Sequence, residues 1–134
     1  MAKDSATNYM EVSDMHGGKG TIKGYVFFAG KADPAMFFAE MIGPPGTYAG
    51  YHQHVGHDSI LYVVSGKVEN FQEGRSEIVG PGEAILCKSG QAHVVRCIGD
   101  GDARVVEFCA AHGGTIDTNT QVKVLPMPAE CADW

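Results

Sequence analysis

The chain has 134 residues, near the usual size of a single domain and long enough to enclose a proper core. Hydrophobic residues make up 44% and charged residues 19%, which excludes a disordered chain, and a formal net charge of −6 argues against nucleic acid as a partner. No apolar run approaches the roughly 20 residues that cross a bilayer, and the opening MAKDSATNYMEVSD has no apolar stretch of a secretory signal, so no membrane role and a cytoplasmic location are expected.

Residues 1–18 are polar and Gly-rich and read as an irregular N-terminal arm. From 19 to 114, short runs of Val, Ile, Phe and Tyr are broken by glycine and proline. Strands are expected over 21–28, 36–42, 60–64, 67–71, 84–87, 93–97 and 104–110, with Glu73-Gly74-Arg75-Ser76 as a hairpin turn. Short strands at this spacing, with no window that sustains a helical period, indicate an all-β sandwich or barrel. Residues 115–134 form a mixed tail whose terminal Trp134 needs a docking surface, on the barrel or on a partner subunit. Cys87, Cys97, Cys109 and Cys131 have no Cys-x-x-Cys pair, which excludes the common zinc-finger and thioredoxin patterns and suits buried free thiols.

The stretch GYHQHVGHDSILYVVSG (50–66) concentrates three histidines ahead of a β-branched run. His52 and His54 share one face of an extended chain. Imidazoles turned toward a buried side are costly unless something binds them. A second segment, GPGEAILCKSGQAHVVRC (80–97), brings His93 at the start of a strand after the Gly90 turn. An antiparallel barrel would set His93 opposite the first pair and leave a cap of three neutral imidazoles, a donor set that suits a divalent transition metal.

These two segments resemble the two signature motifs of the cupin superfamily. The first motif runs Gly46, five residues, His52-Gln53-His54, four residues, Ser59, six residues, Gly66; the second runs Gly82, five residues, Lys88-Ser89-Gly90, two residues, His93, three residues, Cys97. The resemblance implies a small single-domain cupin, a jelly-roll β-barrel holding one divalent ion of iron, zinc, nickel or manganese. The sequence departs from the pattern at three places. Ser59 stands where the family usually has a metal-binding glutamate, Lys88 for the usual proline, and Cys97 for the usual asparagine. His57 shares the face of Ser59 on an extended chain and is the candidate fourth ligand, whereas Asp58 has the opposite parity.

Glu40 is the candidate general base, if its side chain enters the barrel. Tyr48, Tyr51, Ser59 and Gln91 are candidates to line a substrate cavity, although strand aromatics are more often core. His16 and His112 lie outside both motifs and are treated as incidental. The function implied is an enzyme whose ion activates a small oxygen-bearing organic substrate, with an anionic one favoured by a neutral ligand shell, as a dioxygenase or as an isomerase, cyclase or lyase. The alternative is a non-catalytic ligand-binding or sensor module. Apolar residues at every position of 60–64 are those of a sheet covered on both sides, so a homodimer is expected.

Overall fold

The computed structural model describes residues 6–118 and 120–134. Eleven strands are present among them, in chain order β1 (Ala6–Ser13), β2 (Thr21–Phe27), β3 (Met36–Gly43), β4 (His52–His54), β5 (His57–Ser65), β6 (Lys67–Gln72), β7 (Arg75–Val79), β8 (Ala84–Cys87), β9 (Ala92–Ile98), β10 (Ala103–Ala111) and β11 (Val122–Val124). They form a six-stranded sheet in the order β1-β2-β3-β10-β5-β8 and a five-stranded sheet in the order β11-β4-β9-β6-β7, with antiparallel pairing throughout. This is the all-β jelly-roll barrel. No helix among the described residues is long and apolar enough to cross a membrane.

Strand alternation decides what enters the barrel. On β5, Ser59, Leu61 and Val63 are buried while Ile60, Tyr62 and Val64 are exposed. Leu61 and Val63 join Val68, Val79, Ile85, Ala103 and Val105 in a core at one end of the space between the sheets. Each such side chain contributes about 1.5–3 kcal/mol by leaving water. The opposite end of the interior is where the histidines sit.

The arm expected to be irregular and the tail read as mixed both contain strand. Residues 6–13 are not a loose arm but edge strand β1, paired along its length with β2; residues 1–5 lie outside the described residues. The polar character of this stretch suits an edge strand with one solvated face. Within 115–134, β11 pairs with β4, and a short 3-10 turn at Ala129–Cys131 follows. Cys131 then packs with Tyr48, Phe71 and Val94, and Trp134 meets Tyr48 edge-on at 5.8 Å beneath the Arg96 guanidinium, 4.3 Å from the ring centre. This segment lies against the face of the five-stranded sheet that points away from the barrel interior.

The hairpin turn expected at 73–76 joins β6 to β7, a strand absent from the expected set. Glu73 and Gly74 both have positive φ, the conformation that two-residue hairpin loops require. Gly66 is needed for space as well as for its φ of +77°: a Cβ there would stand 2.6 Å from the Asp102 carbonyl oxygen.

Candidate metal centre

β4 is only three residues long, and its pairing fixes the site. His52 stands directly opposite His93 of β9, and His54 opposite Val122 of β11. The alternation across β4 turns His52 and His54 inward, both buried, and leaves Gln53 outside, where its amide donates to the Gly90 carbonyl. The Gly90 N–H in turn donates to the His54 carbonyl at 2.8 Å, so the Lys88-Ser89-Gly90 turn clamps β4 from the side. All three histidines of the two motifs thus project from the five-stranded sheet, and one ring nitrogen of each lies within 4.8 Å of the others.

Ring orientation is set by what the other nitrogens bind. His52 Nδ1 lies 2.6 Å from the Gly50 carbonyl oxygen, so it carries the proton and donates it there. Its Nε2 is left as a lone pair facing the cluster. His54 Nδ1 lies 2.8 Å from His57 Nε2, and His54 Nε2 lies 3.2 Å from His93 Nε2. His93 Nδ1 is buried without a hydrogen-bond partner among the described residues. Two nitrogens, each about 2.1 Å from an ion and at right angles, would be about 3.0 Å apart. The His54–His93 spacing fits a shared ion, and a dication between two facing lone pairs replaces their repulsion with two bonds.

Burial makes these imidazoles neutral, the form a metal requires. It pushes His52 down to about 4, partly offset by the Gly50 carbonyl, and His54 down to about 3, helped by the neighbouring His52, His57 and His16. His93 is held well below the ordinary value by its burial and then by His52 and His54.

The structure does not bring every candidate to this point. His57 is wholly buried, but it stands behind His54 instead of among the converging nitrogens. With His54 Nε2 turned to an ion, its Nδ1–H donates to His57 Nε2. Second partners of this kind fix the tautomer of a ligating imidazole. Ser59 Oγ donates to Glu107 Oε2 at 2.9 Å. Glu40 does not enter the barrel: Phe37, Ala39 and Met41 take the inward positions of β3, and Glu40 pairs on the outer face with Arg104 at 2.7 Å. Gln91 is engaged at the β6–β7 turn, where it bonds Glu73 and Gln72 and accepts the Lys88 N–H. Tyr48 and Tyr51 both pack with the cluster around Phe71 and Val94, and Tyr48 also borders the cavity.

A cavity of about 770 Å³ runs from the histidines between the sheets, with walls that include Met10, Val12, Ile22, Phe37, Met41 and Val105. Two of its residues escaped the sequence reading. His16, treated there as incidental, lines it with its ring centre 5.1 Å from that of His52. Its backbone is held in the left-handed region, φ 53°, by close contact with the 48–50 loop, where a Cβ on Gly50 would stand 2.1 Å from the His16 carbonyl oxygen. Glu107 is the other. It projects from β10 between Ala39 of β3 and Leu61 of β5, enclosed by protein yet with part of its surface open to the cavity. Burial pushes its carboxyl up from the ordinary value, against hydrogen bonds from Ser59 and Cys109. His112, the other histidine set aside, bonds Asp58 at 2.9 Å in an exposed pair.

Comparison with known proteins decides the family. Residues 39–109 match the model of the cupin domain. The chain belongs to the cupin family. This cupin is 31% identical over 101 residues to an oxalate-binding protein of Thermotoga maritima, covering 74% of this chain and 81% of the relative. In structure it resembles a predicted oxalate decarboxylase from Thermotoga maritima with a TM-score of 0.73 and 25% identity, over 81% of this chain and 96% of the other. It also shares the fold of KdgF from a Halomonas species, with a TM-score of 0.65 and 22% identity, over 79% and 87% of the two chains.

Proposed function

We propose that this cupin is a metal-dependent enzyme in which His52, His54 and His93 hold one divalent ion and a small oxygen-bearing, anionic substrate is bound beside it. The observation that carries this reading is the convergence of three buried, neutral imidazoles at one wall of the cavity between the sheets, two of their nitrogens already 3.2 Å apart. The ion supplies a Lewis acid that polarises a substrate oxygen. Three neutral ligands leave its double charge intact, which favours an anion.

The chain's own residues do the rest. The Gly50 carbonyl and His57 hold two of the rings in the ligating tautomer. The apolar walls lower the local dielectric, which strengthens electrostatic interactions beside them. Among the described residues, no lysine or arginine lines the cavity. Of the chemistries open to such a centre, proton transfer on the substrate suits the site better than oxygen activation, because an ionisable carboxyl opens onto the same cavity. A cytoplasmic location fits the four free cysteines.

A second reading has its own support. The curated relative is described as binding oxalate, and a small cupin that only holds its ligand would have the same centre. Metal content of the purified protein, chelator treatment and the His93→Ala variant test both readings together. Occupancy near one ion per chain in the wild type, lost in the variant with the barrel still folded, supports the metal centre; undiminished occupancy sinks it. Oxalate binding that survives saturation of every tried turnover assay would favour the binding module.

The molecule is further proposed to be a homodimer. Phe38, Phe108, Ile60 and Leu86 stand in one row across β3, β10, β5 and β8 on the outer face of the six-stranded sheet. Phe38, Ile60 and Leu86 are 44%, 44% and 49% exposed, and Tyr62 in the adjacent row is 46% exposed. A contiguous apolar strip of this kind is what a self-complementary two-fold interface covers.

A further inference from the structure

The geometry points to Glu107, held by Ser59, as the residue that carries the substrate proton in this barrel. The inference rests on the metal-centre reading above and assigns that cavity's carboxyl its role, its positioning partner and its substrate class. At position 59, where the cupin pattern usually has a carboxylate, this chain has a hydroxyl, and that hydroxyl donates to a carboxylate arriving from the neighbouring strand. Ser59 is opposite Cys109 on β10 and Cys87 on β8, so Glu107 reaches it diagonally across the β5–β10 pair. A glutamate at 59 would oppose the charge of Glu107. A serine makes room for it and orients it.

Three observations separate this carboxyl from a structural one. It sits in an inward row whose other members are apolar, Ala39, Leu61 and Ile85, where a leucine or valine would cost far less than an acid. Among the described residues, no lysine or arginine offsets its burial. Finally, it shares a cavity with the three histidines without joining them: among the described residues the converging group is His52, His54 and His93 alone. The other acid lining that cavity among the described residues, Asp14, is exposed, and its Oδ1 accepts the Gly20 N–H. A carboxylate shielded from water is a stronger base than one in solution, and perturbed acids of this kind mark sites of proton transfer.

The substrate class is a small carbonyl acid with a C–H bond beside the carbonyl. That C–H bond breaks heterolytically. Its proton passes to the Glu107 carboxylate, its electron pair forms the C=C bond, and the carbonyl π pair moves onto oxygen. Return of a proton from Glu107 to carbon reverses the electron flow, and no oxidant or reductant is consumed. The titratable groups that face Glu107 are Cys109 on its own strand and Cys87 on β8, both thiols raised by burial and by the Glu107 charge; β3 and β5 present Ala39, Leu61 and Ser59.

The test uses zinc-loaded protein and 2-oxobutanoate as the probe, following loss of the C3 proton signal in heavy water by NMR. Wild type should exchange faster than His93→Ala with the same added zinc. Glu107→Gln should keep its zinc content and its folded barrel and lose exchange by about 10²-fold or more. Ser59→Ala should retain exchange with its pH midpoint moved upward, because the hydrogen bond that steadies the carboxylate is gone. In metal-free protein, the infrared difference between wild type and Glu107→Gln should show one carboxyl that stays protonated to higher pH than the surface acids. Wild-type exchange in Glu107→Gln, or loss of its zinc, overturns the assignment. Zinc-loaded wild type that exchanges no faster than His93→Ala overturns it too and leaves the metal centre standing, whereas failure of wild type to bind zinc removes both.

Discussion

The five-stranded sheet turns three bases inward, and burial pushes His52 and His54 down to about 4 and about 3. The six-stranded sheet turns Glu107 inward, and burial pushes it up. One physical cause acts on groups of opposite charge type, and both sheets thereby favour uncharged groups at the cavity. The sheets also divide the work. β4 and β9 supply the converging nitrogens, while β5 and β10 supply His57, Ser59 and Glu107, which orient a ring or face the cavity. Their outer faces differ as well: the five-stranded sheet is covered by the segment ending in Trp134, and the six-stranded sheet leaves an apolar row bare.

The largest effect expected from breaking this comparison lies on the outer faces. Ile60→Lys places a charge at the centre of the bare row, and two-fold symmetry counts it twice. Losing about 1.5–3 kcal/mol of burial per copy weakens self-association by roughly 10²–10⁴-fold. Sedimentation across a concentration series should find wild-type dimer and variant monomer with the same metal content. A wild type that sediments as a monomer would mean the two outer faces differ for another reason.

Next comes the contact between the sheets. His57→Phe keeps most of the buried volume and removes the acceptor for His54 Nδ1–H. Zinc affinity, measured by competition with a chelator, should fall about 10–100-fold, the usual cost of removing a ligand's orienting partner. A loss as deep as that of His93→Ala would make His57 a ligand, and no loss at all would dissolve the division of labour between the sheets.

The ligand face was legible in the sequence and the opposite wall was not. His52, His54 and His93 could be found because each is spaced from a glycine that punctuates a strand, and parity on β4 is unambiguous with only Gln53 between the pair. On β10 the inward residues Val105, Glu107 and Cys109 alternate with Val106 and Phe108, which are apolar because they belong to the outer face. Apolar residues on both faces erase the alternation that would have shown Glu107 pointing inward. The same ambiguity on β3 made Glu40 look like the candidate base, until the pairing with Arg104 fixed its parity as outward. His16 was hidden differently. Its place depends on glycines at 18 and 50 that allow two loops to touch, a contact that no periodicity encodes.

The smallest effect tests the opposed pKa shifts themselves. In metal-free protein, a histidine with a lowered folded pKa is protonated first in the unfolded chain. Its stabilising contribution is therefore lost as pH falls below about 6.5 and on through about 4 for His52 and about 3 for His54. Glu107 has the opposite sign. Its folded pKa is raised, so the unfolded chain gives up the proton first and stability is lost as pH rises above the model-peptide value of about 4.3 toward the folded value. From the ordinary glutamate range up to the folded value of Glu107 the two effects oppose each other, each worth at most about 1.4 kcal/mol per pH unit per proton. Glu107→Gln removes one of them. Its melting temperature should therefore fall more steeply on acidification than that of wild type, by a few degrees across the window, although it is the variant that has lost an acid. Parallel curves for the two proteins would mean that Glu107 titrates as a solvated carboxylate, and the symmetry between the sheets would go with it.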